Sequence, residues 1–246
     1  MIVFWRLFLT FFLTDFVFFH KTINQLEKEN WLKASALHSA VFLFWAYLLC
    51  YGYLTMPWPF LELFHLPGWM CILLCCAFHV FSDRFFQFGG KMRHGYVLTF
   101  FTKIFANLLF LFLCVPFRVL YETGNFFAES WVIFLVGLVT ATRVIGWVIF
   151  SIEQDRYGRD YPTFDERWLL MMVRAIFFLI MLLPGWRWMV WLLVWYGACV
   201  YARKIRLMDV SHAAFYIGVL GAVLVGFLVR EVLPCPRLTV MPKLQK

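Results

Sequence analysis

Two ionisable side chains, His79 and Asp83, lie one helical turn apart in the otherwise apolar stretch CAFHVFSDRFF. Their i, i+4 spacing places both on the same face of a helix. Two residues of the same types, Asp15 and His38, lie in the two preceding apolar segments. Two imidazoles and two carboxylates form a ligand set that suits zinc, iron or manganese. The sequence therefore offers Asp15, His38, His79 and Asp83 as candidate ligands of a divalent metal ion, with His20 and His212 as further ligands or outer hydrogen-bond partners.

The same residues also allow a structural interpretation. Ionisable side chains inside membrane segments are costly and find partners within the bundle. The basic residues inside the apolar segments are Lys103, Arg143 and Arg174. Asp15 or Asp83 would neutralise them in a hydrogen-bond and ion-pair network, or Arg143 would bind an anionic ligand. A proton or ion path is the third alternative.

The composition defines the class of protein. Of 246 residues, 63% are hydrophobic and 15% are charged, against roughly 45–50% and about 25% in soluble domains. A water-exposed surface cannot be built from this composition, so we predict an integral membrane protein. The net charge of +8 then indicates cytoplasmic loops and contacts with anionic lipid headgroups, and no nucleic-acid partner.

We predict an all-α polytopic bundle forming one membrane domain over residues 1–246. A polar cytoplasmic loop is expected at 153–167, and a basic tail at 234–246. Apolar stretches near the length of a spanning helix give eight spans, with six or seven as alternatives. The predicted spans are 2–20, 35–55, 69–88, 97–116, 131–152, 167–184, 186–202 and 212–233.

Lysine and arginine concentrate in alternate loops, which predicts that those loops are cytoplasmic and that the N-terminus lies outside. With this orientation, most of the ionisable residues inside the spans fall at one depth, in the inner leaflet. The aromatic stretches MPWPF and GWRW fall at segment ends, where an interfacial belt is expected.

Small residues suggest packing rather than chemistry. The seven cysteines mostly lie inside apolar runs without zinc-ribbon or disulfide spacing, and we interpret them as small apolar residues. The last span carries a small residue at every fourth position, at Ala214, Gly218, Ala222 and Gly226. This ladder predicts close helix packing within the chain, with a subunit interface of a homo-oligomer as the alternative.

The motifs LTDFVFF, ALHSAVF and FHVFSDRF, followed by RVIGW, DERWLLMMVRAIFFLIMLLPGW and YARKIRLMDVSHAAFYIGVLGAVL, run in the order of a known family. They resemble a family of multi-spanning bacterial membrane proteins catalogued as domain of unknown function 3307. The resemblance implies a bacterial inner-membrane location. It carries over Asp15, His38, His79, Asp83, Glu166 and Arg167. One position departs from the family pattern, because Phe11 stands where the family signature has its first histidine. A metal site that used that histidine is either incomplete here or completed by His20.

Three functions follow from these observations. The first is a structural or ligand-binding polar layer within a membrane assembly, alone or with other membrane subunits. The second is an intramembrane metal-dependent hydrolase acting on a phosphate or acyl group. The third is a transporter or exclusion factor with an ion path. The sequence contains no P-loop, nucleophile elbow or His-Glu-x-x-His motif that would indicate another chemistry.

Overall fold

The computed structural model describes residues 2–18, 26, 30–60, 64–89, 95–115, 128–157, 164–208 and 211–233. Over these residues the predicted all-α helical bundle is confirmed. The helices are α1 (Ile2–Phe12), α2 (Trp31–Leu49), α3 (Gly68–Gly89), α4 (Tyr96–Cys114), α5 (Glu129–Val139), α6 (Ile145–Tyr157), α7 (Phe164–Met181), α8 (Arg187–Lys204) and α9 (His212–Val232). A first π-turn (Leu13–Val17) continues α1, and a second π-turn (Thr140–Val144) joins α5 to α6.

Five helical stretches in the described residues are long and apolar enough to cross a bilayer, which indicates an integral membrane protein. They are Trp31–Leu49, Gly68–Phe85, Tyr96–Cys114, Glu129–Arg156 and His212–Val232. Trp168–Met181 is apolar but shorter. The remaining two predicted spans, 2–20 and 186–202, correspond to α1 with its π-turn and to α8.

The chain divides into two compact units, Met1–Tyr161 and Pro162–Lys246. In the first unit α1 packs against α2, α4 and α5. Seven of its eleven residues are buried, and the face with Phe4, Trp5 and Phe8 is half-buried. A helix that is apolar all round belongs in the interior of a bundle. The N-terminal helix is therefore the centre of this unit rather than its edge.

A two-stranded antiparallel hairpin joins α2 to α3. Its strands, β1 (Pro57–Phe60) and β2 (Phe64–Pro67), pair from Pro57 opposite Pro67 to Phe60 opposite Phe64. Trp58 is fully buried and its indole N–H donates to the Tyr53 carbonyl at 3.1 Å. Gly68 is required beside it, because a Cβ there would lie 2.5 Å from that carbonyl oxygen. Trp58 is thus a core residue and not part of the predicted interfacial belt.

The start of α4 is fixed by a carboxylate from α6. Asp155 accepts hydrogen bonds from the backbone N–H groups of Tyr96 at 2.6 Å and Val97 at 3.0 Å. These are among the N–H groups that a helix leaves unpaired at its N-terminus. Part of the predicted polar loop 153–167 is thus the last turn of α6, and α6 holds α4 in place.

In the second unit, α7 packs along α9. The small residues of α9 are buried: Ala214, Gly218, Ala222 and Gly226. A Cβ on Gly226 would lie 2.6 Å from Cβ of Met181 and 3.1 Å from the Phe178 carbonyl oxygen. The absence of a side chain at Gly226 therefore allows α7 to approach α9 closely.

Candidate metal centre

Four elements of the first unit bring ionisable side chains to one place. Asp15 lies on the first π-turn, His38 in α2, His79 and Asp83 on one face of α3, and Lys103 in α4. The π-turn is closed by the hydrogen bond from the Phe18 N–H to the Leu13 carbonyl at 2.9 Å, five residues back. It packs against α2, which carries His38. We call Asp15, His38, His79 and Asp83 the His/Asp cluster.

The donor atoms of the His/Asp cluster converge. Nε2 of His38 and Nε2 of His79 are 2.8 Å apart. Oδ1 of Asp15 lies 3.1 Å from His79 Nε2 and 3.3 Å from His38 Nε2. Oδ2 of Asp83 lies 3.3 Å from His38 Nε2, and one donor atom from each residue lies within 4.8 Å of the others. Tetrahedral ligands bound to zinc at 2.0–2.1 Å are about 3.3–3.4 Å apart, so most of these spacings already approach those around one ion.

Lys103 binds the outer oxygens of both carboxylates. Its Nζ lies 3.0 Å from Asp15 Oδ2 and 2.8 Å from Asp83 Oδ1. Each carboxylate therefore gives one oxygen to the ammonium and directs the other at an imidazole. When both imidazoles are neutral, the two carboxylates and the one ammonium give the His/Asp cluster together with Lys103 a net charge of −1. This negative charge favours the binding of an additional cation.

Asn107 of α4 determines which nitrogen of His79 faces the cluster. Its Nδ2 donates to Ser82 Oγ at 2.8 Å and to the Lys103 carbonyl at 2.9 Å. Its Oδ1 is left as an acceptor 3.1 Å from His79 Nδ1. The hydrogen-bond network thus assigns the proton of neutral His79 to Nδ1, and Nε2 presents a lone pair to Asp15 and His38. Hydrogen bonds of this kind orient histidines that bind metals.

Aromatic rings hold the His79 imidazole in position. Phe42, one turn after His38 on α2, stacks on it with ring centroids 5.3 Å apart. Phe11 meets it edge to face at 5.3 Å. The His38 ring stacks at 4.9 Å. Phe11 thus forms an apolar wall beside the His79 imidazole.

Exposure is uneven across the cluster. The side chains of His79 and Asp15 are 2% and 5% exposed, whereas those of His38, Asp83 and Lys103 are 12%, 18% and 27% exposed. The exposed edge is therefore formed by α2, α3 and α4.

The other predicted site residues are placed differently. Arg143 is half-buried in the second π-turn, which packs against the first π-turn carrying Asp15. Arg174 is buried in α7 and His212 is exposed at the start of α9, both in the second unit. His20 and the side chains of Glu166 and Arg167 lie outside the described part of the structure.

Sequence reasoning missed Asn107 and Ser82. Both are buried, at 3% exposure. The sequence signal was their spacing, because Ser82 follows His79 by three residues and Asn107 follows Lys103 by four. An uncharged polar residue three or four positions after an ionisable one lies on the same helix face, and this spacing could have predicted both hydrogen-bond partners.

Comparisons with known proteins give no relative. No family model matches the chain, and neither curated proteins nor solved structures match it. The resemblance to the family of unknown function therefore stays a prediction.

Proposed function

We propose that this integral membrane protein binds a divalent metal ion between Asp15, His38, His79 and Asp83. One observation carries the proposal. Asp15 Oδ1 lies within 3.3 Å of two imidazole nitrogens, and one donor atom from each of the four residues lies within 4.8 Å of the others. The lone pair of His79 Nε2 faces the same space. Two carboxylates and two imidazoles that converge in this way are a ligand set that a divalent ion can share.

A proton is the competing cation, and it corresponds to the ion-pair interpretation. A proton on His38 Nε2 satisfies the 2.8 Å contact with His79 Nε2 and is also within reach of Asp15 Oδ1 and Asp83 Oδ2, each 3.3 Å from that nitrogen, but it is donated fully to one acceptor at a time. A metal ion accepts lone pairs from both imidazoles and both carboxylates at once. Four convergent donors with a net negative charge therefore fit a divalent ion better. Two nitrogens and two oxygens suit zinc first, with iron and manganese as alternatives.

Elemental analysis of the full-length protein, purified in detergent without chelators, tests the proposal. We expect about one divalent ion per chain, and its loss in His79→Ala. The matched control is His65→Ala, because His65 is exposed on β2 and touches no part of the cluster. Equal metal content in wild type and His79→Ala, or none in either after zinc loading, would contradict the proposal.

Folding must be controlled separately. His79→Gln retains a polar side chain, and visible absorption of bound Co²⁺ reports the ligand set directly. Asp155→Asn provides a variant that weakens the α4 cap without touching the cluster. It should lower the melting temperature and keep the metal. If Asp155→Asn loses metal in parallel with His79→Ala, the loss reports unfolding and the cluster is structural.

Hydrolysis is the second candidate function, favoured by the exposed edge of His38, Asp83 and Lys103. An accessible metal leaves room for a water and a substrate, as catalytic zinc sites require. The substrate class would be a phosphate or acyl ester at the membrane surface. We expect zinc-loaded protein to hydrolyse a nitrophenyl phosphate or ester in micelles, and His79→Ala to lose that activity. Metal binding without turnover would leave an assembly or ion-path role in a bacterial inner membrane as the remaining function.

A further inference from the structure

Helix α4 supplies no member of the His/Asp cluster, but two of its side chains contact three of the four members. Lys103 Nζ lies 3.0 Å from Asp15 Oδ2 and 2.8 Å from Asp83 Oδ1. Asn107, one turn later, has its Oδ1 3.1 Å from His79 Nδ1 and donates to the Lys103 carbonyl at 2.9 Å. One face of α4 therefore holds three candidate ligands from outside the space that they share.

Lys103 has a defined position in spite of its long side chain. Its helix begins where the Asp155 carboxylate accepts from the backbone N–H groups of Tyr96 and Val97. The helix then packs against α3, which carries Asp83. Since the ammonium lies between two carboxylates that belong to different elements, its movement would break an ion pair on one side or the other.

Each carboxylate has one oxygen that faces the imidazoles and one that faces Lys103. The inner oxygens are Asp15 Oδ1, 3.1 Å from His79 Nε2, and Asp83 Oδ2, 3.3 Å from His38 Nε2. The outer oxygens lie at distances from the ammonium that are close to those of charge-assisted hydrogen bonds. The Asp15 side chain is 5% exposed, so little water can compete with Lys103 for its outer oxygen.

We propose that Lys103 determines which ion the divalent site selects, an inference that rests on the proposed metal binding. Lys103 holds both outer oxygens, so each carboxylate can bind an ion through one oxygen only. The His/Asp cluster then offers two nitrogens and two oxygens, which is the four-coordinate set that suits zinc. Magnesium and manganese prefer six ligands, mostly oxygens. Their binding would require the outer oxygens or additional waters, so Lys103 favours zinc over them.

The geometric effect of Lys103 can be separated from the effect of its charge. Loss of one positive charge strengthens the attraction of the cluster for every divalent ion, because this attraction depends on charge and distance. Release of the two outer oxygens favours only those ions that use more than four ligands. The ratio of zinc affinity to manganese affinity therefore reports the number of available oxygens rather than the charge.

Competition with a fluorescent chelator, for Zn²⁺ and separately for Mn²⁺, measures this ratio on the full-length protein in detergent. We expect Lys103→Met to bind both ions and to lower the ratio about tenfold, the lower end of the effect of an outer partner on a metal site. Lys33→Met is the matched control. It removes the same charge, but Lys33 is exposed in the first turn of α2, so the ratio should not change.

The visible spectrum of Co²⁺ in the wild-type protein provides a second measurement that does not depend on the folding of a variant. Four-coordinate Co²⁺ absorbs intensely and six-coordinate Co²⁺ absorbs weakly. We expect the intense spectrum in wild type and a weaker one in Lys103→Met. Melting temperatures of the apo proteins show whether Lys103→Met is folded, and the wild-type spectrum decides the matter if it is not.

The possible failures are distinguishable. An unchanged ratio in folded Lys103→Met, an equal change in Lys33→Met, or a weak Co²⁺ spectrum in wild type that holds one ion would overturn the role of Lys103 and leave the divalent site intact. If wild type binds none of the three ions, the divalent site itself is contradicted, and the role of Lys103 with it.

Discussion

The two halves of α3 show how one helical spacing can serve packing in one half and a candidate site in the other. In the first half, Cys71 and Cys75 are buried in the apolar core of the first unit. In the second half, His79 and Asp83 face an imidazole of α2, a carboxylate of the first π-turn and an ammonium of α4. The spacing within each half is the same. The difference lies in what the neighbouring helices contribute, so the facing helix, and not the motif, determines the chemistry.

A small cavity of about 10 Å³ lies between the two halves, lined by Cys75, His79 and Asn107 among aromatic rings. This is about the space that one water needs. Cys75 and His79 are about 6 Å apart along the axis of α3, at 1.5 Å per residue. The apolar half of the helix therefore ends one turn before the His/Asp cluster begins.

The largest effect is expected for Lys103→Met. It removes the ammonium between two buried carboxylates, and breaking a buried pair costs about 3–5 kcal/mol. Since Lys103 is 27% exposed, we expect the lower end of that range. Unfolding of the apo protein in detergent measures it, and zinc should recover part of the loss. A change below about 1 kcal/mol would show that the carboxylates do not depend on Lys103.

The next largest effect is on zinc affinity, which should fall by different amounts when each of the two histidines is replaced. His79→Ala should weaken zinc binding about 100-fold. His38→Ala should weaken it less, because His38 is more exposed and its Nδ1 has no hydrogen-bond partner among the described residues. Competition with a fluorescent zinc chelator measures both. A larger loss in His38→Ala would reverse the assigned order of the ligands.

A smaller effect is expected for Asn107→Ala, which removes the acceptor for His79 Nδ1. Loss of such an outer partner typically lowers metal affinity about 10–100-fold, and we expect the lower value because Phe11 and Phe42 still hold the ring. Zinc competition measures it, with Asn30→Ala as the control. Asn30 caps α2, so its loss should cost about 1 kcal/mol of stability without changing affinity.

Much of the His/Asp cluster could be predicted from the sequence. Short ionisable side chains in apolar helices need partners, and the depths of Asp15, His38 and His79 matched once the loops were oriented. Lys103 was predicted as an ion-pair residue, and in the structure it joins Asp15 to Asp83. Arg174 had the same sequence signal as Lys103, but it lies in the other unit. The sequence could not distinguish the two residues, because the depth of a residue along its helix does not show which helices are neighbours.

Other features had no adequate sequence signal. The packing of α4 against α3 could not be predicted from the spacing of residues within α3. The hairpin at Pro57–Phe60 and Phe64–Pro67 was interpreted as an interfacial segment, because proline and tryptophan are typical of both settings. The two π-turns each add one residue to a helical turn, and no residue pattern marked them.

Because of the first π-turn, the side of the helix on which Asp15 lies depends on the exact number of residues that precede it. An α-helix rotates by about 100° per residue, and a π-turn inserts one residue without ending the helix. If one residue before Asp15 were deleted, an unbroken α-helix would carry a carboxylate of unchanged chemistry to another side of α1. In evolutionary terms, a single-codon insertion or deletion in this turn would be enough to create or abolish the His/Asp cluster.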